Sequence, residues 1–482
     1  MMKRQELAKA LAGMGLKKND IVLLHSALSS LGEVEDGADG VIDAFMQVLG
    51  KGGTLIVPVF GKLGVITERL KERPDAVVSN VPVGTLAAIG GRAKELLADH
   101  WEAETAHGEG TPFLKIARAG GYVCLLGVDQ DRNTMLHSAE ALLELPYLGS
   151  TTQSCTNPKG RTVTRTWRFY PGPHRNFIGL DRLFAECGAM TVARIGNAQV
   201  RLLKAKEMLE VAMEVGGADP AFALCDNPAC ADCVRQRAAI DHALIAAEAF
   251  TLSVSSRLAG RYVPEMIENM QRCGLDHVEF DYIQGKACAT MTEEALADAA
   301  RQFANAGMVV TALRAAVPPN DYEALAARCR AAKTKRLILP LTARDVQYKV
   351  LKKAGLSVVF ANCNQSALQA AAAYAEQTKA AAEAKVSCAF VMNPAGFALA
   401  GENPFLSSWR AGKFVRVIGQ LDVCDALWDG TPTGLAQGNA EIHELISILR
   451  CRNFDGVFTL GGGAAYPGTL PQAAQEFIRM LE

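Results

Sequence analysis

No apolar run in this 482-residue chain reaches the roughly 18 to 20 residues that a membrane-crossing helix needs, which excludes a helical membrane protein. Charge of one sign is missing as well. Lys and Arg number 50 against 51 Asp and Glu, a net charge of −1, so neither nucleic acid nor an anionic membrane surface is an expected partner. A disulfide framework is absent too: the 13 cysteines are odd in number and lie scattered through apolar segments such as YVCLLG and SCAFVM, where they read as reduced core residues. The first 16 residues read as an amphipathic helix rather than a signal peptide, so the protein is expected in the cytoplasm. What is present, 49% hydrophobic and 21% charged residues, describes a soluble globular chain long enough for two domains or three.

The N-terminal part alternates strand and helix. A helix is predicted over residues 3–15 and a buried strand over Ile21 to Leu24, ending at His25. The loop HSALSSLG (His25 to Gly32) follows, whose hydroxyls and backbone N–H groups could meet a phosphate, although the same residues make an ordinary strand-to-helix turn. A helix over Gly37 to Leu49 and a strand over Thr54 to Phe60 complete an α/β pattern.

The chemistry concentrates between Gly108 and Glu140. Tyr122 to Gly127 is a short apolar strand, Asp129 to Asn133 a polar turn, and Thr134 a candidate cap for a helix carrying His137 and Glu140. Residues three apart share a helical face, so an imidazole and a carboxylate can project together beyond the strand end. Histidine titrates near working pH and suits a general base. The same pair also reads as a structural histidine and a solvated glutamate.

Three motifs in order, GEGTP (Gly108 to Pro112), YVCLLGV and TMLHSAE (Thr134 to Glu140), together resemble the antibiotic N-acetyltransferase family, whose known members are aminoglycoside 3-N-acetyltransferases. The family opens with a strand, a His-x-Ser-Leu-x-x-Leu-Gly type loop and a Gly-Thr-Leu-x-x-Pro strand. His25, Leu28, Leu31 and Gly32 match, and Ala27 stands where a small hydroxyl is usual. The resemblance implies a coenzyme A site at His25, Ser26, Ser29, Ser30, Gly32 and Thr85, with His137 as base and Glu140 or Glu109 orienting it. It also shows departures: Val78 and Val81 occupy the arginine and histidine positions of the family's Arg-Ser-x-His-Pro segment, on the acceptor side of the pocket. A polycationic acceptor calls for carboxylates, and Glu102, Glu104, Glu109 and Asp129 are available. His100 and His107 read as structural. Beyond Leu145, Val163 to Phe177 suggests a hairpin and Arg194 to Val215 a strand and a helix, and the resemblance runs to about Leu224.

Cys225, Cys230 and Cys233 then form a C-x4-C-x2-C group. Two thiolates on a tight turn suit zinc or another thiophilic ion, with Cys155, Cys187 or His174 as a fourth ligand; the alternative is a turn of reduced thiols. This segment marks the domain boundary, giving residues 1–235, a linker helix over 236–249 (within a helix over 231–249) and residues 250–482. The last part holds eight short apolar strands separated by helical patterns: FTLSVSS, HVEFDY, VVTALR, RLILPL, SVVFAN, SCAFVMN, FVRVIGQLD and GVFTLGGG. These predict a (β/α)8 TIM barrel with function at the strands' C-terminal ends. Those ends present Ser256, Glu279, Asp281, Arg314, Asn362, Asn364, Asn393, Gln420, Asp422 and Gly461 to Gly463. With GENPF (Gly401 to Phe405) and DGVFTL they resemble the xylose isomerase-like barrels, which include sugar phosphate isomerases and epimerases and usually hold a divalent metal with Glu, Asp and His. That ligand set is not reproduced, so the barrel is expected to be metal-free.

The leading expectation is therefore an α/β acyltransferase domain fused to a TIM barrel, moving an acetyl group from acetyl-CoA to an amine of an amino sugar or aminoglycoside-like acceptor. Two other readings stay open: a scaffold protein with degenerate sites, and a sugar isomerase or epimerase in the barrel. Partners are a small-molecule amine and, as an open option, further copies of the chain.

Overall fold

In a computed structural model the chain divides into two compact units, Met1–Gln236 and Arg237–Glu482. The structure describes residues 1–61, 63–157, 159–170, 175–316 and 318–481. The helix expected over 231–249 is Ala231–Ala246. No helix among the described residues is long and apolar enough to cross a membrane.

The first unit is built on a seven-stranded mixed sheet. Its strands are β1 (Ile21–Ser26), β2 (Thr54–Pro58), β3 (Val77–Val78), β4 (Leu86–Gly90), β5 (Tyr122–Leu126), β8 (Met190–Ile195) and β9 (Ala198–Lys204), and β6 (Gly149–Thr156) and β7 (Thr162–Phe169) pair separately as a hairpin. The order is β3-β4-β2-β1-β5-β9-β8, with β1 parallel to β2 and β5 and the remaining pairs antiparallel. Successive side chains of a strand face opposite sides, which is why β1 serves two cores. Val22 and Leu24 pack with Leu7, Leu11 and Phe45 on one face. Ile21 and Leu23 pack with Phe113, Val123 and Met208 on the other. Both faces being covered explains why β1 and β5 read as continuous apolar runs rather than alternating ones.

Two local expectations change. The single strand expected from Arg194 is a hairpin, β8 and β9, turning at Gly196, whose φ of 59° lies in the left-handed region that suits glycine. The hairpin expected over 163–177 lies earlier: β7 pairs with β6 in register from Gly149 opposite Phe169 to Thr156 opposite Thr162. The expected helices over 3–15 and 37–49 are Arg4–Gly13 and Gly37–Leu49.

In the second unit all eight expected runs form strands: Thr251–Ser255, His277–Phe280, Val309–Arg314, Arg336–Pro340, Ser357–Ala361, Cys388–Met392, Ile418–Val423 and Val457–Leu460. Each pairs parallel with the next and the eighth returns to the first, closing the barrel. Parallel neighbours require crossover segments, and the amphipathic helices between them, such as Val263–Arg272 and Ile442–Arg450, bury Met266, Met270, Leu445 and Leu449 against the strands.

Candidate active site

The chain leaves β1 for β2 on one side and returns to β5 on the other, so the strand order switches between β1 and β5. Open α/β sheets place ligand crevices at the C-terminal ends of strands at such a switch. A cavity of about 640 Å³ lies there, lined by His25 and Ser26 from the end of β1, Pro58 at the end of β2 and Phe60 beyond it, Val128 after β5, and His107, His137 and Tyr170. The polar turn that follows β5 is held in place from within the sheet: Arg201 of β9 donates to Asp129 at 3.0 Å and to both oxygens of Asp181 at 3.0 Å.

His137 opens the helix His137–Leu142, and the three-residue spacing acts as the sequence implies. Its Nδ1 lies 2.6 Å from Glu140 Oε2. The solvated glutamate is ruled out: Glu140 has no solvent exposure, and its other oxygen accepts from Arg175 Nε and the Tyr147 hydroxyl, both at 2.8 Å. A buried carboxylate without partners is costly, so three donors on one group mark a fixed acceptor rather than a wandering surface charge. Arg175 supplies the compensating charge, which leaves the carboxylate able to orient the imidazole in its neutral form. Because Nδ1 faces the carboxylate, the neutral ring is assigned its proton there, and Nε2 is left as the acceptor. Tyr170 stacks on the ring at 4.5 Å between centroids and donates its hydroxyl to the His137 carbonyl at 2.6 Å. The His137 side chain keeps 20% exposure.

Thr134 is not a cap; it lies in a 3-10 turn, Thr134–Leu136, with its hydroxyl 3.4 Å from His25 Nε2. Glu109, the alternative partner for His137, lies elsewhere: its side chain is 62% exposed and its carboxylate accepts from Arg118 at 2.6 and 2.7 Å. Of the residues expected around coenzyme A, His25 and Ser26 line the cavity. Ser29, Ser30, Gly32 and Thr85 are outside the lining. The Ser30 hydroxyl donates to the Ala27 carbonyl at 2.6 Å, and that of Thr85 to the Val81 carbonyl at 2.5 Å. Glu102 and Glu104 are exposed and Asp129 is held by Arg201, so the carboxylate lining the cavity among the described residues is Asp131, beside Arg132 at 3.2 Å.

Burial pushes the pKa of His25 down to about 3, with the nearby His137 adding to the effect, and it holds His107 well below the ordinary histidine range for the same two reasons before a lesser one from His100. Both are therefore neutral at pH 7. Neither ring nitrogen of His107 has a hydrogen-bond partner, although the residue is buried and lines the cavity 5.1 Å from the His137 ring. An orphaned buried imidazole facing a cavity fits a bound polar group.

The family model described as aminoglycoside 3-N-acetyltransferase covers residues 23–63 and 61–215, which include every residue of this cavity. The N-terminal unit matches the aminoglycoside 3-N-acetyltransferase family. Aminoglycoside N(3)-acetyltransferase IV of Salmonella sp is 28% identical over 236 residues, spanning 45% of this chain and 88% of that protein. Aminoglycoside N(3)-acetyltransferase VII of Streptomyces paromomycinus is 33% identical over 179 residues, 30% of this chain and 62% of its own length. The crystal structure of the apoenzyme of aminoglycoside acetyltransferase AAC(3)-IVa is similar over 50% of this chain and 98% of its own, with 27% identity and a TM-score of 0.45.

The acetyltransferase-like unit also carries the cysteine group. The three sulfurs of Cys225, Cys230 and Cys233 lie within 4.8 Å of one another. The Cys225 N–H donates to Cys233 Sγ at 3.4 Å, and hydrogen bonding from the Cys233 backbone lowers the pKa of Cys230. Tetrahedral zinc at a Zn–S distance of about 2.3 Å spaces its sulfurs by about 3.8 Å, within reach of this cluster. Cys155 and Cys187 do not join it among the described residues, and His174 lies outside them.

Proposed function

We propose that this protein transfers an acetyl group from acetyl-CoA to an amine of an amino sugar or aminoglycoside acceptor, with His137 as general base. The observation that carries the reading is the imidazole of His137, lining the cavity and tied through Nδ1 to a carboxylate that is itself fully buried and anchored. The family match of residues 23–215 supports the same reaction.

Acetyl-CoA supplies the activated acyl group. As the neutral amine attacks the thioester carbonyl, a C–N bond forms and the C–S bond breaks. His137 Nε2 takes the proton that the amine sheds and returns it to the departing thiolate. Glu140 keeps Nδ1 protonated and stabilises the imidazolium that forms, and Arg175 and Tyr147 keep Glu140 in place. Ser26 and His25 border the coenzyme, and His107 supplies a hydrogen bond inside the cavity. Asp131 meets an ammonium of the acceptor.

The test is a thiol-release assay with acetyl-CoA and an aminoglycoside, alongside calorimetric titration with acetyl-CoA. His137→Ala should lower turnover by about 10²–10⁴-fold with coenzyme affinity unchanged; full activity in that variant overturns the base. In the same reading Cys225, Cys230 and Cys233 hold zinc. Metal analysis should then find one equivalent, lost in Cys230→Ser, and metal-free protein with three titratable thiols overturns it.

A further inference from the structure

The barrel opens at the C-terminal ends of its strands into a second cavity, of about 370 Å³. Its lining includes Arg257, Arg314, Asn364, Asn393, Tyr282 and Gly463. The resemblance to xylose isomerase-like barrels implies a divalent metal here, and the residues present do not fit one. Glu279 and Asp422 are already saturated: Arg314 donates to Glu279 Oε1 at 2.5 Å and to the two oxygens of Asp422 at 2.6 and 3.1 Å. Gln420 donates to Glu279 Oε2 at 2.7 Å and to Asp422 Oδ1 at 3.0 Å. The eighth strand brings no ligand, and a Cβ at Gly462 or Gly463 would stand 2.5 Å from an Asp422 oxygen, so a side chain there has no room. A guanidinium fills the position between the carboxylates.

The carboxylate of Asp281 and the amide oxygens of Asn362 and Asn393 are committed. Asp281 takes the hydroxyls of Ser255 and Ser256 and the N–H groups of Arg257 and Tyr282, at 2.7 to 3.0 Å. Asn362 Oδ1 accepts from Asn393 N at 2.8 Å, and Asn393 Oδ1 from Gly396 N at 3.1 Å. The donors are not. Arg314 uses three of its five N–H groups on Glu279 and Asp422. The Arg257 guanidinium stands over the Tyr282 ring, its Nε 3.7 Å from Asp281 and its side chain 40% exposed. Among the described residues the cavity therefore has two guanidinium groups facing it, while its carboxylate, Asp281, is already taken by four donors.

We infer that the barrel mouth is a metal-independent binding site for a small oxyanion-bearing molecule, a carboxylate or a phosphate ester, gripped by Arg257 and the spare N–H groups of Arg314. Guanidinium forks match the planar or tetrahedral oxygens of such groups, and two guanidinium groups find their complement in an acceptor-only ligand. Arg314 contributes as a fixed fork, because Glu279 and Asp422 hold it on the side away from the cavity.

Calorimetric titration of the full chain at constant ionic strength tests this, with inorganic phosphate and malonate as anionic probes, xylitol as a neutral polyol and Mn²⁺ as the metal probe. Phosphate or malonate, or both, should bind with a dissociation constant below about 10 mM; which of them binds tells the phosphate from the carboxylate. Arg257→Gln, at the rim and outside the buried cluster, should weaken that binding at least 10-fold. Asn364→Asp adds a negative charge to the lining and should abolish it. Neither substitution should alter acetyl transfer. Absence of anion binding, binding unmoved by both substitutions, or xylitol or Mn²⁺ binding in place of the anions each overturns the inference.

Discussion

Each unit buries a carboxylate against an arginine, and the two clusters differ in what they leave free. In the N-terminal unit Glu140 is held by Arg175 and Tyr147, and its third partner is His137, whose far nitrogen reaches a cavity. In the barrel Glu279 and Asp422 are tied to Arg314, Gln420 and Thr459, and no described histidine lines the mouth. A proton can be taken up and released in the first without unpairing a buried charge. The second presents guanidinium and amide groups to its cavity, with its own carboxylates already tied up. The two proposals follow that difference, proton transfer in the first cluster and anion binding in the second, although both rest on the same kind of buried ion pair.

The comparison breaks most visibly at Glu140. Glu140→Gln removes the group that fixes the Nδ1 proton, and kcat/KM for acetyl transfer should fall about 10³-fold; a steady-state assay showing wild-type rates would make the two clusters equivalent. Arg314→Met leaves Glu279 and Asp422 without their guanidinium and should cost the barrel about 3–5 kcal/mol. Denaturant unfolding should register that loss while acetyl transfer stays unchanged, and a loss of transfer would show that the barrel cluster serves the reaction.

Acid should separate the units next. Burial depresses the pKa of His25 to about 3 and that of His100 to about 4, and holds His107 low as well, so each binds its proton more readily when unfolded. Their contribution to stability is complete above about pH 6.5 and is lost as pH falls toward those folded values, by up to about 1.4 kcal/mol per pH unit for each group. Calorimetric scans at pH 7.5 and 5 should show the N-terminal transition falling further than that of the barrel, which buries no described histidine. Equal shifts would contradict the neutral assignment. The smallest effect is expected from Asp131→Asn: KM for an aminoglycoside should rise about five-fold, with acetyl-CoA affinity unaltered, since a partly screened charge pair contributes about 1 kcal/mol.

Local patterns were legible in the chain and distant partnerships were not. All eight barrel strands follow from short apolar runs, because a parallel strand covered on both sides has no polar face to blur it. His137 and Glu140 could be paired because a helix fixes what lies three residues away. Arg175, which holds Glu140 from 35 residues downstream, carries no such signal, and neither does the reach of Arg314 across 108 residues to Asp422. Glu109 misled for another reason: it sits in the GEGTP motif that carries the resemblance, but it lies in solvent against Arg118. His107 read as structural because only the fold shows its ring opening on a cavity. The turn at Gly196-Asn197 was legible in principle, since Gly-Asn between two β-rich runs is a hairpin signal.

Gly462 and Gly463 give the barrel mouth a one-way character. An acidic side chain introduced at either position collides with Asp422 before it can meet an ion, and replacing Arg314 alone sets two carboxylates face to face with nothing between them. Turning this mouth toward a metal therefore calls first for removal of the Arg314 guanidinium, the group that now stands between Glu279 and Asp422.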